Sequence, residues 1–252
     1  KTFSGRNVIP DNPALAFLDY LLEDYADEWV TKAMFHYRWS YEPDISKAGQ
    51  ILARWTNITS SDEAISGKSK YITDKQISRL RYVGSNEITC DTIEESFTRF
   101  IDLLNKHFCQ MPFLLGERPS ACDFAVYGQL TCLALFDPTP QGIILKRAPR
   151  VHAWTEVMED LSGFETLPND WITIKTFPES LKNIFKEDVS LYSDGGGKAI
   201  AARKVLHGDN NYISKFLIKV TQPMFLDSAQ NVKIKTVWFN GSLGLNLIVN
   251  GI

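Results

Sequence analysis

Apolar residues recur at helical spacing through most of the first two thirds of this chain. Leu15, Leu18, Leu22, Tyr25, Trp29 and Met34 trace one face of a long first helix. Pro13 stands where a first-turn proline is tolerated, behind Asp11 and Asn12 as candidate caps. A second helix is predicted over 44–55, then a polar Ser/Gly/Lys loop at 59–70 and a short helix from Thr73 that carries Ile77 and Leu80. Asp91 and Glu94 are expected to cap the next helix, whose stripe is Ile93, Phe97, Phe100, Ile101, Leu104 and Phe108. A last periodic segment opens at Pro149, carries Val151, Trp154, Val157 and Leu161, and stops at Gly163. Strand alternation is scarce and no internal repeat stands out, so the expected fold class is all-α.

The segment from Phe113 to Phe124 carries the sharpest local signal. Gly116 and Pro119 end one element, and Ser120 and Asp123 have the spacing of a capping box. Each side chain there can accept a backbone N–H that a first helical turn leaves unpaired. An apolar run follows from Phe124 to Phe136. A helix apolar on nearly every side is expected to be buried, which places this capped element at the centre of the fold.

Composition sharpens the division of the chain. At 252 residues, 44% apolar and 23% charged, it has ample length and material for a globular core. The net charge of −3 is unevenly spread: residues 1–171 carry 17 Lys/Arg against 24 Asp/Glu, and residues 172–252 carry 10 against 6. The change from −7 to +4 marks a boundary, and helical periodicity weakens beyond Leu167. Two parts are therefore expected, a helical domain over 1–167 and a partly irregular, less ordered extension over 168–252. A surplus of four basic residues over 81 is too thin for nucleic-acid binding. No segment reaches the roughly 18–20 apolar residues that span a bilayer. Cys90, Cys109, Cys122 and Cys132 form no CxxC pair and read as free thiols of a reducing, cytoplasmic setting.

Candidate chemistry is sparse. Asp24, Asp27 and Glu28 lie three and four residues apart, so a regular helix would put their carboxylates on one face. A metal site there would need a histidine one turn away and a second helix repeating the pattern, so no metal is expected and a solvated or interface face is. Trp29, Phe35, His36, Tyr37, Arg38 and Trp39 form an aromatic and basic helix end, which reads as core packing at Trp29 and Phe35 and surface elsewhere. The run Gly195-Gly-Gly-Lys198 lacks the spacing and the following Ser or Thr of a phosphate loop, and reads as linker. The four histidines are too scattered for a triad, and no catalytic residue is assigned.

Gly-x-Arg-x-Ser-x-x-Asp opening an apolar helix, from Gly116 to Asp123, resembles the C-terminal helical domain of glutathione transferases. Asn12 to Trp39 is similar to that domain's first long helix in a bacterial branch. Arg81 to Asn86, Gly128 to Leu130, Phe136 to Pro140 and Ala148 to Trp154 follow in the order of that branch. The resemblance covers roughly residues 8–165. It implies a helical bundle whose first helix helps to line a pocket for a small hydrophobic electrophile, with Trp29, Phe35, His36, Arg38 and Trp39 as substrate-binding residues. It implies that Asp24 or Asp27 reaches across a homodimer to the partner's glutathione amine, glutathione being the co-substrate. The family's thioredoxin-like domain, with its Tyr, Ser or Cys, is expected to lie outside this chain, which reads as a fragment, inactive alone. Glutathione-transferase-like helical domains also serve as non-enzymatic assembly modules, and that alternative stays open. The tail from Val237 to Ile252 departs from the aromatic and basic last helix of the branch, so the extension is expected to pack less well.

Overall fold

The computed structural model describes residues 6–173, 177–192, 237–240 and 244–247. The described fold is mostly helical. Helix α1 (Pro13–Tyr25) starts as its sequence dictates, with the Asn12 side-chain oxygen accepting from the amides of Ala14 at 3.0 Å and Leu15 at 3.2 Å. Two donors left over by the first turn are thereby paired. A π turn (Ala26–Val30) then leads directly into α2 (Thr31–Ser40), so the long first helix is continuous but changes register midway.

Helix α3 (Glu42–Trp55) and helix α4 (Asp62–Ile77) pack against each other as an arm. Most of the loop expected at 59–70 is therefore helix. Ser61 starts it by accepting from the Ala64 amide at 3.3 Å, with Asp62 and Glu63 in the first turn. Ile65 is the one fully buried residue of α4, so there was no apolar stripe to betray it. The two helices approach closely at Gly49, where a Cβ would lie 2.6 Å from Thr73 Oγ1.

Helix α5 (Cys90–His107) turns Ile93, Phe97, Phe100, Ile101 and Leu104 into the core, as its stripe predicts. Its start differs from expectation, because Thr89 is the cap residue and makes no side-chain cap bond. Glu94 points elsewhere, to His36. Helix α6 (Ala121–Leu130), a second π turn (Thr131–Phe136), α7 (Pro138–Arg147) and α8 (Pro149–Met158) complete the bundle. Helix α6 lies against α1, the first π turn and α8 through Cys122, Val126 and Leu130. Its burial is one-sided, for Phe124 is 43% exposed.

The core does not end at Leu167. Ile172 N–H donates to Leu115 O at 2.9 Å and Glu117 N–H to Asp170 O at 2.8 Å, tying 170–172 to the turn before α6. Helix α9 (Glu179–Tyr192) then packs on α5 and α1 and sends Leu181, Ile184 and Phe185 into the same core. The charge change near Leu167 thus marks no break in packing up to Phe185. Strands β1 (Val237–Asn240) and β2 (Gly244–Leu247) pair antiparallel, with Trp238 opposite Asn246. The run Gly195-Gly-Gly-Lys198, read as linker, lies outside the described residues.

Candidate functional site

The expected cap at the head of α6 forms, with Ser120 and Asp123 both fully buried. Asp123 Oδ2 accepts from Ser120 N–H at 2.8 Å and from the Ser120 hydroxyl at 2.7 Å, while Oδ1 accepts from Leu114 N–H at 2.8 Å. The carboxylate therefore closes the helix start and also fastens the turn that precedes it. Cys122 N–H donates to Asp19 Oδ1 of α1 at 2.8 Å, bringing a second buried carboxyl alongside. Burial pushes Asp123 up to about 7 against the pull of its donors, and pushes Asp19 and the Cys122 thiol up as well. These groups are enclosed, and the work of the cluster is structural.

The aromatic and basic end of the first helix is divided by the fold. Trp29 is core, and its indole N–H donates to Ser96 Oγ of α5 at 2.6 Å. Trp39 is also buried, while Phe35 is half-buried with its ring centroid 6.4 Å from that of Trp39. Arg38, expected at the surface, is buried and grips Asp137 with Nε at 2.9 Å and Nη2 at 2.8 Å. Burial raises Asp137 and the guanidinium pulls it back down. Arg38 also lies 4.9 Å from the Phe136 ring centroid, and Lys47 lies 4.8 Å from the same centroid. The guanidinium is thus held in place by the start of α7, and its geometry is that of a brace for α2.

His36 makes a connection that its scattered position in the sequence concealed. Nδ1 is 2.8 Å from Ser85 Oγ and Nε2 is 3.0 Å from Glu94 Oε1, which also accepts from the Tyr41 hydroxyl. Serine, histidine and carboxylate are joined in the order of a proton relay. Acyl transfer also needs donors for an oxyanion, and the amides around Ser85 are already spent. Gly84 N–H donates to Arg81 O, Ser85 N–H to Leu80 O and Asn86 N–H to Thr89 Oγ1. Ser85 is itself buried. The relay pins the Gly84 turn between α2 and α5, and the one signal for it in the sequence was a histidine at the inner edge of an aromatic run.

The paired acids are separated. Asp24, at the end of α1, is buried, whereas Asp27, inside the π turn, is exposed. The wider turn breaks the three-and-four repeat on which a shared face depends. Among the described residues no group of three or more His, Cys, Asp or Glu side chains converges to hold a metal ion, and no helix is long and apolar enough to cross a membrane. All four cysteines are free, Cys122 buried and Cys109 exposed. Compared with family models, curated proteins and solved structures, the chain matches none of them.

Proposed function

We propose that this chain is the helical, electrophile-holding half of a glutathione transferase-like protein. The observation that carries the reading is the Ser120–Asp123 box, which closes α6 and through Leu114 fastens the turn before it. That arrangement gives physical content to the Gly116-to-Asp123 resemblance. A continuous first helix through Ser40, packed against α6, supports it further. In this reading Phe35 is the half-buried aromatic that offers apolar contact to a small electrophile. Trp29, Trp39, His36 and Arg38 shape and brace the wall behind it. Asp27, being exposed, is the acid that reaches a partner's glutathione in a homodimer. The glutathione thiolate is the nucleophile and is activated by a thioredoxin-like domain, in the cytoplasm.

The test uses the 252-residue chain with the fluorescent probe 8-anilinonaphthalene-1-sulfonate and 1-chloro-2,4-dinitrobenzene as competitor. Saturable probe binding, displaced by the competitor and weakened by Phe35→Ala, supports the reading. Binding that ignores Phe35→Ala in a folded variant removes it. The assembly-module reading draws on one observation, the exposed side chains of Trp55, Ile58, Tyr71, Tyr82 and Ile88 on and beside the α3–α4 arm. It predicts that no probe binds near Phe35.

A further inference from the structure

We propose that His107 is an acid-released latch that holds α9 against the bundle. The ring is fully buried at the end of α5 and joins three elements. Nε2 lies 3.0 Å from Phe113 O in the turn before α6, and Nδ1 lies 3.0 Å from Ser180 Oγ near the start of α9. A carbonyl oxygen only accepts, so Nε2 carries a hydrogen, and in the neutral ring Nδ1 accepts from the Ser180 hydroxyl. Burial favours that neutral form of the docked imidazole. A second proton would have to sit on Nδ1, facing a hydroxyl inside an apolar enclosure.

Among the described residues no compensating charge faces the ring. On α5, Lys106 points to solvent, and on α9 Glu179 and Lys182 pair with each other at 3.3 Å near the surface. The 113–116 turn has no titratable side chain; beyond it Asp123 is committed to Leu114 and Ser120. On α1, Asp19 is committed to Cys122, and α8 turns Trp154 and Thr155 inward. Burial accordingly holds His107 below the ordinary imidazole range, with the Phe113 carbonyl as a smaller opposing influence. Lifting α9 away uncovers the Nδ1 side of the ring to water, where the imidazolium is solvated. What resists lifting is the burial of Leu181, Ile184 and Phe185.

An undocked His107 titrates near 6.5, so each pH unit below that weakens docking up to tenfold while the docked ring stays neutral. Between pH 7.5 and 5.0 the loss is at most about thirtyfold on the same basis. Hydrogen exchange on the full chain reads it, with labelling times scaled for the intrinsic pH dependence of exchange. The expected result is that amides of α9 lose protection at pH 5.0 while those of Phe97–Leu104 in α5 keep theirs. His107→Gln can still donate to Phe113 O but does not titrate, and is expected to abolish the difference. Should that variant fail to fold, the His107 ring proton followed by NMR in the unaltered chain decides the matter. Protonation that coincides with loss of α9 protection upholds the latch. Protection unchanged at pH 5.0, an equal loss in His107→Gln, or ring protonation with α9 still protected overturns it.

Discussion

The Asp123 carboxylate accepts the Leu114 amide at 2.8 Å across nine residues of chain, while its other oxygen accepts the Ser120 amide. One side chain thus decides where α6 begins and where the preceding turn lies. Asp123→Ala leaves both amides buried without a partner, at about 1–3 kcal/mol each. Ser120→Ala removes a hydroxyl but spares the carboxylate, and is expected to cost about 0.5–2 kcal/mol. Urea denaturation is expected to rank Asp123→Ala well below Ser120→Ala. Equal midpoints for Asp123→Ala and the unaltered chain would mean that α6 does not rely on this clamp.

Burial also gives Asp123 a signature in pH. Its folded value, about 7, lies above the roughly 3.9 of an unfolded aspartate. An acid raised on folding favours the native state most below its unfolded value, and the benefit is lost as pH rises through the folded one. The stability of the unaltered chain relative to Asp123→Asn is therefore expected to be greatest below about pH 4 and to shrink steadily as pH rises toward about 7. A difference that stays flat in urea melts across that range would show the carboxyl to be ionised throughout.

Arg38 and Asp137 form a buried, two-pronged ion pair between α2 and the start of α7. Removing one partner strands the other charge, at about 3–5 kcal/mol. Asp137→Ala is expected to fall in that range, and Arg38→Met combined with Asp137→Leu to recover much of it. A double variant no better than the sum of the singles would point to an interaction that the apolar pair cannot replace.

Gly116 has a φ of +136°, and a Cβ there would lie 2.1 Å from Asp170 O. Neither the conformation nor the space suits an L side chain. Gly116→Ala is expected to destabilise by more than the roughly 1–3 kcal/mol of backbone strain alone, because the 170–172 segment must also move. Thermal unfolding of the variant checks this, and a melting temperature within a degree of the parent would contradict it.

Packing of α9 changes where a protease-resistant core should end. With Leu181, Ile184 and Phe185 in the common core, limited trypsinolysis is expected to leave a fragment that reaches past Phe185. Mass spectrometry of the fragments reads the end directly. A stable product stopping near residue 170 would restore the boundary at Leu167.

Much of the architecture was legible from local chemistry. Asn12 before Pro13, the stripe of α5, and Ser120 with Asp123 act within a few residues of one another, so their effect can be read from spacing. Helix α4 escaped because it buries little more than Ile65, and a helix without an apolar face has no periodic signal. The separation of Asp24 from Asp27 depends on a π turn, which the three-and-four spacing of the acids does not announce. His36 with Ser85 and Glu94, Arg38 with Asp137, and His107 with Ser180 join positions 49 to 99 residues apart. Such pairs exist once the helices have assembled, because burial turns an ordinary polar side chain into one that must find a partner. By itself the sequence determined the start of α1 at Asn12, the buried stripe of α5, the start of α6 at Ser120 and the resemblance carried by Gly116 to Asp123. The tertiary structure decided which polar groups met, because a buried donor or acceptor takes its partner from whatever element packs against it.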